Sequence, residues 1–347
     1  MKDNPIVKAD LDFFVSHVPF VKELTGKTIL VTGATGLIGS TFVKCMLALN
    51  ENKDANIQIV AIARNSQKAA SMFEAEPCIT WVYQDVTEPL NVSCEIDYIV
   101  HCANSTSSRF YVESPVENIN TAYLGTNNIL RFAQSNSVKS VVYLSSLESY
   151  GTILDDGEIK EDMMGYILPT DVRSSYSLGK RATECLCHCY AKEYAVPVKI
   201  ARLTQTFGAG VSMEDNRVFA QFAKSVIKGD NIILHTKGES AKPYCYTIDA
   251  VIAILYLLFA GADGEAYNVA NTNTYISIHD MAQFLVDKFN QDCQLVVDVK
   301  ENMGYAPVTR LNLCTIKIEA LGWKPYYSLY DMYSCLIKYY QSLDVIC

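Results

Sequence analysis

The sequence has no apolar run long enough to cross a membrane. Its longest candidate, Ala250 to Ala260, falls short of the roughly 18–20 residues that a spanning helix needs and is typical of a buried helix. Charges interrupt the first 26 residues and exclude a signal-peptide core: Lys2, Asp3, Lys8, Asp10, Asp12, Lys22 and Glu23. We therefore expect a soluble, cytoplasmic protein with no membrane partner and an N-terminal helical extension over residues 1–26.

An excess of basic residues is also missing. The 347 residues include 29 Lys and Arg against 38 Asp and Glu, so the formal net charge is −9. A net acidic protein binds phosphate polymers poorly, which argues against a nucleic-acid partner. A small anionic ligand is still compatible with this charge, because a local pocket can be basic.

Paired metal-binding cysteines are absent as well. None of the 12 cysteines forms a Cys-x-x-Cys pair. Cys185, Cys187 and Cys189 are spaced by two residues, and this spacing turns a helical side chain by roughly 200°, so the three cannot face one metal. We expect no metal site, and free thiols in a reducing compartment.

Short β-branched runs alternate with helical stretches in the first two thirds of the chain. The strands are mostly continuous apolar runs, which indicates parallel strands buried on both faces. They are predicted at Thr28–Thr32, Ile57–Ala63, Ile79–Tyr83, Tyr98–His101, Ser140–Leu144 and Val198–Leu203, with helices at Leu37–Leu49, Ser66–Phe73, Val116–Ser135 and Ser174–Tyr194. Repeated βα units predict an α/β fold with a Rossmann-type doubly wound parallel sheet over residues 27–204.

Glycines divide the chain after Thr204 into shorter elements. Helices are predicted there at Asn216–Lys228, Thr247–Phe259, Ile278–Phe289, Thr315–Leu321 and Leu329–Leu343. We expect residues 205–347 to be mainly a smaller α/β substrate-binding cap, with some segments returning to the Rossmann core.

A glycine-rich turn links the first strand to the first helix of the Rossmann domain. Gly33, Gly36 and Gly39 form Gly-x-x-Gly-x-x-Gly, which allows a tight turn and a close approach of the backbone to a pyrophosphate. The helix N-terminus, with Leu37 and Ile38, then faces the phosphates with its positive dipole end. At the first βα junction of a βαβ series, this pattern predicts a bound dinucleotide.

The end of the second strand bears on the choice between NAD and NADP. Ala63 stands where an NAD site usually has an acidic residue, and Arg64 supplies a cation suited to a 2′-phosphate. This pair slightly favours NADP, although Arg64 is also compatible with a solvated or adenine-stacking role. Asp85 and Val86, after the third strand, are placed to meet the adenine.

Tyr176 and Lys180 lie four residues apart and therefore on one face of a helix. A neighbouring ammonium favours the phenolate and lowers the pKa of a tyrosine. Such a tyrosine takes a proton from a sugar hydroxyl while hydride leaves the same carbon for nicotinamide. Ser146, at the end of the fifth strand, is placed to align that hydroxyl.

Together these motifs resemble the extended short-chain dehydrogenase/reductase family of nucleotide-sugar epimerases, dehydratases and decarboxylases. The resemblance runs from about Lys27 to Trp323 and rests on Gly33/Gly36/Gly39, Asp85-Val86, His101-Cys102-Ala103, Ser145-Ser146 with Tyr150-Gly151, Tyr176/Lys180, and Arg202 with Thr206-Phe207-Gly208. It implies that Tyr176 is the acid/base, that Lys180 holds the nicotinamide ribose, that Ser146 assists, and that Ala103 contacts the cofactor. It also implies a homodimer through the helices at Val116–Ser135 and Ser174–Tyr194.

The segment around Tyr176, from Arg173 to Glu184, is similar to the UDP-glucuronate decarboxylases. In that branch and in dehydratases, the position of Glu148 carries a glutamate that acts on the sugar after C4 oxidation. The resemblance places substrate-binding residues at Thr106, Gln205, Arg217, Lys242 and Arg310.

Several of these positions depart from the family pattern. The dehydratase acid is Leu147 here, the helix asparagine is Ala122, the substrate asparagine is Gln205, and a phosphate-binding arginine is Lys242. Leucine cannot donate a proton, and lysine loses bidentate phosphate geometry. The departures cluster around the nucleotide-sugar pocket and leave the exact substrate open.

Three functions are compatible with this sequence. The favoured one is an enzyme that oxidises C4 of a nucleotide sugar transiently and then decarboxylates, dehydrates or epimerises it, most similar to UDP-glucuronate decarboxylase. The second is a net NADPH-dependent reductase of a keto-sugar or another carbonyl compound, which Arg64 favours. The third is a dinucleotide-sensing protein without catalysis, which the intact Ser146, Tyr176 and Lys180 oppose.

Overall fold

A computed structural model describes residues 4–73, 75–106, 108–153, 157–300 and 308–344. The strands are β1 Thr28–Thr32, β2 Gln58–Ala63, β3 Ile79–Tyr83, β4 Tyr98–His101, β5 Ser140–Ser146, β6 Val198–Leu203, β7 Gln205–Phe207, β8 Ile232–Leu234, β9 Ala241–Tyr246, β10 Ala266–Val269, β11 Asn271–Ser277 and β12 Leu295–Val297. The helices are α1 Pro5–His17, α2 Val21–Leu24, α3 Leu37–Lys53, α4 Ser66–Met72, α5 Ser108–Glu113, α6 Pro115–Ser135, α7 Ser174–Tyr194, α8 Val218–Lys228, α9 Thr247–Ala260, α10 Ile278–Phe289, α11 Ile316–Glu319 and α12 Leu329–Asp344, with a 3₁₀ turn at Leu147–Tyr150.

The central sheet has seven parallel strands in the order β10-β6-β5-β4-β1-β2-β3. Successive side chains of β1 enter different cores, since Ile29 and Val31 pack on one face and Leu30 on the other. Burial on both faces explains why the strands are continuous apolar runs. The strand order reverses beside β1, and in such sheets ligands bind at the carboxyl edge at this point.

Helices cover both faces of the sheet. Helices α3 and α9 pack together on one face, and α6 and α7 pack together on the other. The predicted bounds of α7 and of four strands, β1, β3, β4 and β6, agree with the structure. The sequence did not predict α5, or β10 as the seventh strand beside β6, because both are short and neither carries a strong periodic signal.

The cap comprises two small sheets and their helices. Strand β9 lies between β11 and β7, and β8 pairs with β12. Helices α8 and α10 pack against each other beside β8 and β12. Strand β9 bears directly on the site, because it carries the predicted substrate-binding residue Lys242.

The N-terminal extension forms helix α1, capped by Asn4, whose side chain accepts hydrogen bonds from Ile6 N and Val7 N. Phe14 is fully buried, and α1 packs against α3, α9 and α12. Asp10, also buried, accepts a 2.7 Å hydrogen bond from the Tyr246 hydroxyl. Within the described residues, no helix combines the length and hydrophobicity required for a membrane span.

Candidate active site

The glycine turn at the end of β1 is packed too closely for larger residues. Gly33 has φ +63°, and a Cβ there would lie 2.9 Å from the backbone of Ala103; a Cβ on Gly39 would collide with the Gly33 carbonyl. Gly36 caps α3 without any side-chain hydrogen bond. The first-turn N–H groups, including those of Leu37 and Ile38, therefore lack a side-chain cap, which fits a diphosphate at a helix N-terminus.

Arg64 and Asp85 meet at the ends of β2 and β3. Their guanidinium and carboxylate groups are 3.6 Å apart, and the Arg64 side chain is 71% exposed. Burial raises the pKa of Asp85, but hydrogen bonds from Thr87 and the charge of Arg64 outweigh it and hold the pKa below its usual value. Asn128 binds the backbone carbonyl of Val86 at 3.0 Å and so fixes this loop against α6.

Tyr176 and Lys180 lie on the buried face of α7. The Lys180 ammonium donates a 2.7 Å hydrogen bond to the carbonyl of Leu144 in β5 and lies 5.8 Å from the centre of the Tyr176 ring. Ser146 ends β5, and its hydroxyl contacts both the Tyr176 hydroxyl and the amide of Glu148. The structure thus brings the predicted Ser146, Tyr176 and Lys180 together at the carboxyl edge of the sheet.

The expected lowering of the Tyr176 pKa is not found in this structure, and we correct that prediction. Burial raises the pKa of Tyr176 to about 12, and the hydroxyls of Ser146 and Tyr111 and the charge of Arg217 offset it only in part. The prediction failed because it ignored desolvation and because the Lys180 ammonium is directed at a backbone carbonyl.

Two residues of the pocket were absent from the predicted site. The ring of Tyr111, on α5, stacks on Tyr176 with centroids 4.4 Å apart and an interplanar angle of 12°. Within the described residues, neither polar atom of the buried side-chain amide of Asn104, which follows Ala103, has a hydrogen-bond partner. An unsatisfied buried amide beside the glycine turn fits a site built for a polar ligand. The only sequence signal for Tyr111 was its spacing between His101 and Pro115.

Charged residues from both the Rossmann domain and the cap act on the same phenol. Glu148 and Arg217 both influence Tyr176, and the same two groups influence Lys242 in β9. Burial lowers the pKa of Lys242, Glu148 opposes this shift, and Arg217 adds to it. Asp215 orients Arg217 through hydrogen bonds to its guanidinium. Glu148 and Arg217 are therefore within electrostatic range of both Tyr176 and Lys242.

The other predicted substrate-binding residues differ in exposure. Arg310 pairs through its backbone with Ala241, next to Lys242, and its half-exposed guanidinium is 4.0 Å from Glu239. Gln205 lies in β7, opposite Tyr244 of β9, and is partly buried. Thr106 is exposed beyond β4.

The glycine turn and the Tyr176–Lys180 pair, at the switch point of a doubly wound sheet, define a dinucleotide-dependent enzyme of the extended short-chain dehydrogenase/reductase type. The model of the NAD dependent epimerase/dehydratase family matches residues 29–270, and the chain belongs to this family.

Curated relatives include several named UDP-glucuronic acid decarboxylases. UDP-glucuronic acid decarboxylase 5 of Arabidopsis thaliana is 29% identical over 301 residues, covering 86% of this chain and 84% of its own length. UDP-glucuronic acid decarboxylase 1 of Danio rerio is 26% identical over 348 residues, covering 96% of this chain and 78% of its own length. The predicted resemblance to this superfamily is confirmed.

Solved structures share the fold at lower identity. UDP-glucose 4-epimerase of Thermotoga maritima, with UDP-glucose, has a TM-score of 0.77 at 21% identity and covers 91% of this chain and 99% of its own. The dTDP-glucose 4,6-dehydratase DesIV of Streptomyces venezuelae, with NAD bound, has a TM-score of 0.74 at 23% identity and covers 91% of this chain and 97% of its own. These likenesses confirm the predicted doubly wound fold.

Proposed function

We propose that this chain decarboxylates a UDP-linked uronic acid through transient oxidation at C4 of the sugar. The observation that carries the proposal is that Ser146, Tyr176 and Lys180 meet at the carboxyl edge of the sheet, with Glu148 and Arg217 in electrostatic range of both Tyr176 and Lys242. The decarboxylase relatives, which match 86% of the chain, support it.

A bound dinucleotide would supply the hydride acceptor and return the hydride at the end; Gly33, Gly36 and Gly39 with the start of α3 would hold its diphosphate. Lys180 would hold the nicotinamide ribose. Tyr176, aligned by Ser146, must be a phenolate to take the proton of the C4 hydroxyl. The charge of Arg217 and that of a bound oxidised nicotinamide would favour the phenolate against the effect of burial, and the neutral phenol formed would return the proton when the hydroxyl is restored.

Oxidation at C4 places a carbonyl β to the C6 carboxylate. The C5–C6 bond then breaks, CO₂ leaves, and its electron pair becomes an enolate that needs one proton at C5. Glu148 is assigned that proton delivery, drawing it from solvent because the side chain is exposed. Arg217 and Lys242 are assigned to the anionic UDP portion.

The test is incubation of the purified protein with UDP-glucuronate and no added cofactor, followed by proton NMR of the sugar. Loss of CO₂ with formation of a UDP-pentose is expected. Conversion of UDP-glucose or dTDP-glucose, with no conversion of UDP-glucuronate, would overturn decarboxylation in favour of epimerisation or dehydration. A net reductase would instead consume added NADPH in stoichiometric amounts.

For the cofactor we propose a slight preference for NADP over NAD. The absence of an acid at Ala63 and the exposed guanidinium of Arg64 support it, and the contact with Asp85 limits it, because a 2′-phosphate must compete for Arg64. Calorimetric titration with both dinucleotides tests this. Arg64→Ala should weaken NADP more than NAD, and an equal effect on both would contradict the preference.

We further propose a cytoplasmic homodimer built from α6 and α7. Both helices expose apolar or small side chains that a dimer interface would cover. They are Val116, Ile119 and Tyr123 on α6 and Ala182 and Cys185 on α7. Light scattering should give twice the chain mass, and Ala182→Glu should reduce it to the monomer. A wild-type monomer would contradict the dimer.

A further inference from the structure

Behind Lys180 lies a cluster of buried charges that the proposed mechanism does not use. Glu184 follows Lys180 by one helical turn on α7 and is 6% exposed. Its carboxylate accepts three hydrogen bonds of 2.8–3.1 Å from Arg202 of β6 and another from the hydroxyl of Ser145 in β5. The carboxylate is therefore tied to two strands of the central sheet.

Arg202 is itself fixed by groups outside α7. Its guanidinium donates to the Tyr150 hydroxyl at 3.0 Å and to the carbonyl of Glu161 at 2.7 Å. Tyr150 in turn donates to Asn268 of β10 at 2.7 Å. This network of hydrogen bonds holds the Glu184 carboxylate in a fixed position.

The surroundings of Lys180 contain few groups that can balance its charge. The end of β4 supplies His101, whose pKa burial lowers to about 3, and the residue after it is Cys102, whose thiol pKa burial raises to about 12. Strand β5 supplies the Leu144 carbonyl and the Tyr143 ring, 4.8 Å from the ammonium. On α7 itself, burial raises the pKa of Cys187 above its usual range.

All of these thiol and imidazole groups are uncharged at neutral pH. In the described part of the chain, the carboxylate of Glu184 makes the largest contribution that opposes the effect of burial on Lys180. Arg202 brings a second buried cation to the same cluster. One carboxylate thus serves two buried cations.

We propose that Glu184 is a positioning residue, whose fixed carboxylate is the counter-charge that keeps the Lys180 ammonium charged and in place for the cofactor. This inference rests on the proposed role of Lys180 in holding the nicotinamide ribose. Burial lowers the pKa of Lys180 to about 8, and Glu184 opposes that shift. Without the carboxylate, Lys180 loses its proton at a lower pH.

The experiment is calorimetric titration of the full-length protein with the preferred dinucleotide, NAD or NADP, between pH 5.5 and 9.5. In the wild type, the affinity should change with a midpoint near the pKa of Lys180, and Lys180→Met should remove this transition. In Glu184→Gln the midpoint should fall by about one pH unit or more, as expected for losing a nearby opposite charge.

Two further variants separate charge from packing. Tyr150→Phe removes a hydrogen bond of the same network without changing any charge, so its midpoint should stay at the wild-type value. Glu184→Gln/Arg202→Gln leaves neither buried ion alone and should fold even where the single variant is unstable. Its midpoint should fall by less than in Glu184→Gln, because the Arg202 charge that disfavours the Lys180 ammonium is also lost.

An unchanged midpoint in the folded Glu184 variants would overturn the inference while leaving decarboxylation untouched. A lowered midpoint would support it even if UDP-glucuronate proves not to be the substrate. A shift of equal size in Tyr150→Phe would also overturn it, because packing alone would then explain the change.

Discussion

The cofactor half and the cap use charge differently. Around Lys180, charged side chains are buried and held by several hydrogen bonds each, as in the pair Glu184–Arg202. Around the substrate pocket, the Glu148 side chain and the guanidinium of Arg310 are exposed or half-exposed, and Arg217 of the cap is held by Asp215 of the same loop. The charged side chains beside Lys180 are therefore held more firmly than these predicted catalytic and substrate-binding residues.

The departures from the family pattern follow this division. The glycine turn and the Tyr176–Lys180 pair are intact, whereas Leu147, Gln205 and Lys242 replace family residues around the sugar nucleotide.

The largest effect should come from the phenol of the cofactor half. Tyr176→Phe removes the acid/base, and turnover of UDP-glucuronate should fall by about 10³-fold, within the range for lost general acid–base catalysis. Dinucleotide affinity, measured by calorimetry, should change little. Tyr190→Phe, on the same helix, is the control and should keep wild-type turnover. A fully active Tyr176→Phe would show that Tyr176 is not the acid/base, and the cofactor half would then lack its proposed catalytic residue.

Glu148, in the 3₁₀ turn that follows β5, tests whether chemistry on the sugar after C4 oxidation depends on a second residue of the Rossmann domain. In Glu148→Gln, overall turnover should fall by about 100-fold, whereas C4 oxidation should continue, because Tyr176 is intact. Nicotinamide absorbance should then show reduced cofactor accumulating with substrate. Glu158→Gln, an exposed glutamate nearby, is the control; equal loss of oxidation and turnover would assign Glu148 to binding.

The two cations of the cap should affect binding rather than chemistry. Arg217→Gln and Lys242→Gln should each raise KM for UDP-glucuronate by about tenfold or more with little change in kcat, since each removes a charged hydrogen bond. Lys228→Gln, exposed at the end of α8, should leave KM unchanged. A fall in kcat without a rise in KM would contradict a role restricted to the diphosphate.

The buried carboxyl of Asp10, in the N-terminal extension, should have a smaller effect, on stability rather than on catalysis. Burial raises the pKa of Asp10 to about 7, the Tyr246 hydroxyl opposes the shift, and Asp249 adds to it. In the folded state Asp10 keeps its proton up to a higher pH than in the unfolded state. It therefore contributes stability below about pH 4, and this contribution, at most on the order of 4 kcal/mol, is lost as the pH rises towards 7.

Thermal unfolding from pH 4 to pH 8 measures this effect. Asp10→Asn should reduce the fall in Tm across the range, whereas Asp12→Asn, exposed on the same helix, should follow the wild type. Identical pH profiles for Asp10→Asn and the wild type would show that Asp10 is not titrating on unfolding.

Strong periodic elements and the glycine turn were predictable from sequence, since the bounds of β1 and of α7 agree with the structure. The stacking of Tyr111 on Tyr176 was not, because α5 is a short helix whose position depends on contacts with α6 and α7. The raised pKa of Tyr176 was likewise inaccessible, because desolvation depends on the whole surrounding fold.

The sequence by itself determined the family, the sheet and the Tyr176–Lys180 spacing, because these depend on local periodicity and on motifs within one βα unit. Only the tertiary structure decided which distant charges share a site. Glu148, Arg217 and Lys242 come from three separate segments, and Glu184 finds Arg202 and Ser145 on two different strands. Electrostatic interactions fall with distance in space, so residue spacing along the chain could not reveal them.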